Sequence, residues 1–280
     1  MAEHFLLLQE KSDAAHVMWL NRYISPERKG MTELSDSLRN FFKYDKVSLW
    51  IIGRMRDKFF GKDPHPYIVR MQHPDKYLLL GYAFEHHHFL KQWVKSCSLI
   101  IANTDMEDVQ HYEISNIVSE WYGTDKTPSH HELLLRMAES YGASRKDIYE
   151  TVPLTATSSA ISFWDMVCRK YSFVEGMSAM HSMELIADRR MKEYGASMPY
   201  FDPKILQDNS ISGETVAFLR EGYEADVYHA GEAMDLIDKY SETLSLEQPC
   251  QVIALASLDR LYDYLFARMK RGEMIENKQQ

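Results

Sequence analysis

The feature that most narrows the fold is where the helix breakers stand. Nine prolines and twelve glycines are spread over 280 residues. Pro26, Pro64, Pro66, Pro74, Pro128, Pro153, Pro199, Pro203 and Pro249 fall mostly in stretches that already read as connections. Between them run segments of helical period. Residues 31–43 place Met31, Leu34, Leu38, Phe41 and Phe42 at steps of three and four, the stripe of an amphipathic helix, and 46–60 repeat the pattern. Segments 77–101 and 106–122 are separated by Asn103-Thr104-Asp105, a polar joint short enough to return the chain antiparallel to itself. Ser129 can cap a helix with Glu132 in its first turn and Gly142 at its end. Residues 155–193 read as one long helix, bent near Gly176, and segments 212–240 and 247–271 complete the set. Alternating β-branched and aromatic runs are nearly absent. The expectation is an all-α bundle of about seven to nine helices, one domain over 1–275 with a frayed polar tail at 276–280.

Composition bounds the partners. Lys and Arg number 32 against 41 Asp and Glu, a formal charge of −9. No basic cluster outweighs its acidic neighbours, which argues against nucleic acid and anionic membrane as partners. No apolar run approaches the roughly 18 residues of a membrane-spanning helix. The N-terminus lacks the basic region and cleavage site of a secretory signal, so the expected location is cytoplasmic. Cys97, Cys168 and Cys250 are far apart and in no CxxC spacing, which predicts free buried thiols rather than a disulfide framework or thiolate zinc site. The 16 methionines and most aromatics read as core packing.

Two spacings carry chemistry. Asp226 and His229 are three apart on segment 212–240, hence on one helical face; a carboxylate and an imidazole so placed form half a site for iron or manganese. Glu120 stands at the end of its helix and His130 at the start of the next. The Gly123–Pro128 connection is short enough to let both side chains point into one space.

A helix-terminal Glu, nine intervening residues, a His leading a Leu-rich stretch, a later Glu and then Asp-x-x-His-Ala resemble the haem-oxygenase-like dimetal oxidases, which share a scaffold with haem oxygenase, thiaminase-like proteins and pyrroloquinoline-quinone synthase. The match spans roughly residues 82–240. The resemblance implies a haem-oxygenase-like bundle and a metal set of Glu120, His130, a middle carboxylate, Asp226 and His229. It implies Fe(II), two per chain, with Mn as an alternative, O2 as co-substrate, a small amino-acid, amine or fatty-acid type substrate, and a homodimer. The expected reactions are C–C cleavage, desaturation or N-oxygenation. Gly222 stands where the family motif has a further histidine, which predicts one metal position vacant or differently filled.

For the middle carboxylate, Glu175 is preferred over Asp165, Glu184 and Asp188, because Phe173, Val174, Met177 and Met180 around it are apolar and a carboxylate is costly to bury there without a partner. His181, about a third of a turn away from the face of Glu175, is assigned either to a position behind the ligands or to the core. Glu113 lies two turns before Glu120, about 10 Å along the helix, too far for the same ion. Glu85 is a further candidate ligand, since it precedes the turn near 103 by about as many residues as Glu120 follows it, and His88 lies on its face. Arg169, Lys170, Arg189 and Arg220 are candidates for holding a substrate's charged group. Two other readings stay open: a ferritin-like carboxylate bundle using Glu85-x-x-His88 and Asp226-x-x-His229, and a metal-free binding bundle of the quinone-synthase type, which the Gly222 departure favours.

Overall fold

The computed structural model describes residues 39–279, with the side chains of 224–229 and 279 outside that description. By its internal contacts the chain divides into Met1–Lys46 and Val47–Gln280; the helix expected over 31–43 falls mostly outside the described residues. The second unit is helical throughout, and no strand occurs among the described residues. It carries ten α-helices: α1 Val47–Phe59, α2 Pro66–Met71, α3 Lys76–Ala102, α4 Glu107–Ile117, α5 His130–Ser140, α6 Arg145–Glu150, α7 Thr155–Lys170, α8 Phe173–His181, α9 Gly213–Leu244 and α10 Glu247–Gln279. No helix among the described residues is long and apolar enough to cross a membrane.

The count exceeds seven to nine because the short helices α2 and α6 form in stretches that read as connections and because the 155–193 stretch is interrupted. The break is at Tyr171–Ser172, not Gly176. Ser172 accepts from the backbone N–H of Glu175, and Glu175 accepts from the backbone N–H of Ser172, a reciprocal capping box that starts a new helix. After His181 the chain tightens into 3₁₀ turns at Glu184–Ile186 and Arg189–Lys192. At the other end of the chain, α10 runs to Gln279.

The axis of the bundle is α3 against α10. Asp75 caps α3 by accepting from the N–H groups of Tyr77 and Leu78, and the helix extends 27 residues, about 40 Å. It buries Leu79, Tyr82, Ala83, Leu90, Trp93, Cys97 and Ile100, so it is flanked on most sides. Gly81 meets α10 at Arg268 and Gly272, while Phe89 stacks on Tyr264 one to two turns earlier in that helix; the two run antiparallel. At Gly81 a β-carbon would lie 2.1 Å from the Arg268 carbonyl oxygen and 2.5 Å from the Gly272 nitrogen. Only a residue without a side chain permits this approach, and it presents α10 residues 261–268 to the interior beside α3. The Asn103 joint returns α4 antiparallel to α3, with Trp93 Nε1 donating to Asn116 Oδ1 at 2.8 Å. All three cysteines are buried and free.

Candidate active site

The α4 helix ends in a π-turn, Val118–Tyr122, closed by a 2.7 Å bond from the Gly123 N–H to the Val118 carbonyl. Such wide turns insert an extra residue and re-aim side chains. Gly123 follows with φ of 70°, a conformation that favours glycine, and a β-carbon there would sit 2.6 Å from the Ser129 nitrogen. The loop then folds on itself, Thr124 N–H to the Thr127 carbonyl at 2.8 Å, and Ser129 caps α5 through the Glu132 N–H. The outcome is that Glu120 and His130 face each other: His130 Nδ1 and Glu120 Oε2 are 3.0 Å apart, with side chains 14% and 12% exposed. Burial pulls the His130 pKa down, but the carboxylate of Glu120, helped by Glu221, outweighs it and leaves the imidazole above its ordinary value. The spacing argument placed this pair together, and the structure does so.

Both residues line a cavity of about 80 Å³, room for several waters or one small organic molecule. Tyr82, His86, Phe89, Leu90 and Trp93 of α3 contribute one wall, a single helical stripe. Leu261, Tyr264, Leu265 and Arg268 of α10 contribute another, and Glu184 with Ile186 a third. From α9, Phe218 packs on His130 with ring centroids 4.7 Å apart and on Tyr82 at 5.3 Å. Asp226 and His229 belong to the same helix two to three turns on; their side chains lie outside the described residues.

The other expected site residues lie elsewhere. Glu175 does not reach the cavity: its carboxylate closes the α8 capping box, accepting from Ser172 Oγ at 2.6 Å and from the Ser172 N–H at 3.0 Å. Its apolar neighbours reflect a helix start packed in the core rather than a ligand environment. Glu85 is wholly buried but one position off the cavity-facing stripe of α3. It accepts from Arg271 Nε at 2.7 Å, from the Leu154 N–H at 3.1 Å and from the Thr157 hydroxyl. The antiparallel argument set the right height, since the next residue, His86, is in the cavity wall; a rotation of about 100° per residue took Glu85 to another face. His88 is not in the cavity lining. Arg169 pairs with Asp165 on the surface, Arg220 donates to the Leu206 carbonyl, and neither they nor Lys170 or Arg189 line the cavity.

The sequence reading ranked Glu184 below Glu175, gave His181 no direct part in the site and did not consider Arg268. Glu184 is the acidic residue of the 155–193 stretch that enters the cavity wall. Behind it, His181 is fully buried between two carboxylates, its Nε2 2.7 Å from Glu113 Oε1 and its Nδ1 3.4 Å from Glu184 Oε1. Tyr112 and Asn116 complete the network: the Tyr112 hydroxyl is 3.1 Å from His181 Nδ1, and Asn116 Nδ2 donates to Glu184 at 3.3 Å. Burial opposes protonation of His181, but Glu113 and then Glu184 push its pKa up to about 10. Arg268 is the third group, buried at 4% exposure in the cavity wall. Glu-x-x-x-x-x-x-Glu on α4 and the Ser-x-x-Glu box at 172–175 are signals that could have separated these roles.

The profile of the TENA/THI-4/PQQC family matches residues 54–272. A single-copy C2H2 type zinc-finger profile matches residues 1–43, a segment without any cysteine and so without the thiolates of such a finger. A search of curated proteins gave no match. Among solved structures, the TenA homologue protein from P. horikoshii OT3 superposes with a TM-score of 0.58 at 14% identity, covering 85% of this chain and 98% of that one. A TenA homolog from Pseudomonas syringae pv. tomato str. DC3000 gives 0.60 at 11%, covering 80% and 91%. A domain of unknown function with a heme oxygenase-like fold from Shewanella denitrificans OS217 gives 0.59 at 16%, covering 89% and 96%. At these identities the likeness shows a shared heme oxygenase-like fold.

Proposed function

Since the chain belongs to the TENA/THI-4/PQQC family, we propose that it is an enzyme that oxidises a small organic molecule in the Glu120–His130 cavity, using iron and dioxygen. Glu120, His130 and Glu184 hold the metal together with Asp226 and His229 of α9; Glu184 takes the place that the sequence reading gave to Glu175. One observation carries the reading: two carboxylates and an imidazole from three separate segments line one largely apolar cavity. The donor types fit, since oxygen and neutral nitrogen ligands without a thiolate suit Fe(II) or Mn(II), and none of the three cysteines lines the cavity. Among the described residues no three His, Cys, Asp or Glu side chains gather closely enough to hold an ion, so the proposed centre depends on α9. Glu221, whose charge is felt at His130, adjoins Gly222 and is the candidate for the position where the motif has a histidine.

Bound there, iron supplies the dioxygen activation that no side chain performs. The protein's own residues do the rest. Glu120 orients the His130 ring through their 3.0 Å contact. The His181 network fixes Glu184 from behind, as partners one layer out from a ligand do. Phe89, Leu90, Trp93, Leu261 and Leu265 keep bulk water from the reacting molecule.

A metal-free reading is favoured by one observation: the Glu120–His130 contact is a complete carboxylate–imidazole dyad, suited to moving a proton to or from a bound molecule. Anaerobic loading with ferrous iron, desalting and metal analysis separate the two. The iron reading expects one or two irons per chain in the wild type and in Glu175→Ala, and loss of most of that iron in Glu120→Ala and Glu184→Ala. Wild-type protein that retains no iron, or Glu120→Ala and Glu184→Ala variants that retain as much as wild type, would overturn it in favour of the dyad.

A further inference from the structure

The cavity contains a cation that the chemistry above does not use. Arg268 donates through Nη1 to the Tyr200 hydroxyl at 3.0 Å and through Nη2 to the Tyr264 hydroxyl at 3.0 Å and to His86 Nδ1 at 2.9 Å. Its Nε is buried and makes no hydrogen bond. The guanidinium carbon lies 3.9 Å from the ring centroid of Tyr82, 4.5 Å from that of Tyr264 and 5.5 Å from that of Tyr67. Neutral hydroxyls and ring faces therefore surround the charge, and no carboxylate among the described residues forms an ion pair with it. Other interior cations are treated differently: His181 sits between Glu113 and Glu184, and Arg271 is paired with Glu85. A buried charge without a counter-ion is unfavourable. Ring faces and hydroxyl dipoles offset only part of that cost.

The neighbouring histidine is set up in the same sense. Because His86 Nδ1 accepts from Arg268, the ring's hydrogen is on Nε2. Burial, followed by the charge of Arg268, holds its pKa well below the usual range, so the ring is neutral and donates one N–H. His86 and Arg268 both line the cavity. An incoming group there meets the guanidinium charge, its unpaired Nε–H and an imidazole N–H, while the rest of the same wall, Phe89, Leu90, Leu261 and Leu265, is apolar.

We propose that Arg268 is the receptor for a carboxylate on the cavity's ligand, so that the substrate is a small monocarboxylate with an apolar body. A carboxylate supplies the missing counter-charge and an acceptor for the unpaired Nε–H, and one buried cation balances one negative charge. The carboxylate end sits among the tyrosines and the apolar body extends along the cavity that Glu120 and His130 also line.

This rests on the cavity being the substrate site, and it is independent of iron. The test therefore uses metal-free full-length protein. Butyrate, hexanoate and octanoate are titrated by calorimetry against the alcohols and amines of the same chain lengths. The expected result is an acid that binds about tenfold or more tightly than its alcohol, with the ammonium weakest. In Arg268→Gln the acid should fall to the level of the alcohol, and Arg268→Lys should recover part of the difference; each variant is first checked for wild-type helicity and a cooperative melt. The wild-type comparison stands without either variant if they do not fold. Acids that bind no better than alcohols at every chain length, no binding of any probe, or a folded Arg268→Gln that keeps the preference would each overturn the proposal. A preference that appears only after iron loading also overturns it, because the anion is then the metal's ligand, yet leaves the iron reading intact. A preference in metal-free protein that takes up no iron supports Arg268 and refutes the iron.

Discussion

Replacing Glu113 by Gln keeps the shape of the side chain and removes the charge that faces His181 at 2.7 Å in a fully buried site. The effect can be worked from the geometry. His181 is raised from 6.5 to about 10, a displacement of about 3.5, which at about 1.4 kcal/mol each is on the order of 5 kcal/mol of preference for the charged ring. Glu113 contributes more of this than Glu184, so its loss should cost about 3 kcal/mol, in the range for breaking a buried pair. For a unit of this size that lowers the melting temperature by about 6–12 °C. The sign with pH follows from the raised value: the stability that protonated His181 contributes is fully present below about 6.5 and is lost as pH rises through about 10. Thermal melts by circular dichroism from pH 6 to 10 should show wild-type stability falling over that window, with a shallower fall in Glu113→Gln. A variant within about 1 kcal/mol of wild type at pH 7, or two profiles that run parallel, would refute the reasoning.

Three further outcomes can be checked by thermal or denaturant unfolding. Arg271→Ala leaves the Glu85 carboxylate buried with only the Thr157 and Leu154 donors and should cost about 3–5 kcal/mol; a loss under about 1 kcal/mol would mean that those donors satisfy the charge alone. Glu175→Ala opens one half of the α8 capping box and should cost about 0.5–2 kcal/mol without changing iron content, whereas a loss of iron would return Glu175 to the centre. Gly81→Ala drives a methyl group into α10 backbone at 2.1 Å and should cost at least about 1–3 kcal/mol; it should also weaken carboxylate binding, since the contact sits at Arg268. Unchanged stability would show that the α3–α10 packing is looser than described.

What the sequence disclosed depended on whether a signal was local. Ser129 and the joint at Asn103 are short-range features, and the helix boundaries they set fall within a residue or two of expectation. Glu120 and His130 were legible for the same reason: a loop of fixed reach joins them, and Gly123 with the Ser129 cap holds that reach. Glu175 misled because residues 155–193 were treated as one rod. Ser172-Phe-Val-Glu175 is itself a helix-start signature, and taking it as one assigns the carboxylate to the backbone and leaves Glu184 for the cavity. Glu85 failed by azimuth: sequence distance from a turn fixes height, while the face is set by how α3 rolls against α10, which the Gly81–Gly272 contact decides. Arg268 was invisible because its surroundings come from Tyr67, Tyr82, Tyr200 and Tyr264, which converge only in three dimensions. The interior pairing of His181 with Glu113 is likewise tertiary, 68 residues apart in sequence.

The most direct examination of the central claim is anomalous X-ray scattering, recorded at the iron edge from crystals of anaerobically iron-loaded protein. The account predicts a peak on the cavity wall within roughly 2.0–2.3 Å of the Glu120 carboxylate and the His130 imidazole, with Glu184 and the α9 residues 226 and 229 turned toward it and Glu175 still in its capping box. Iron density confined to surface sites, or a fully occupied cavity with no iron peak beside Glu120, would contradict it.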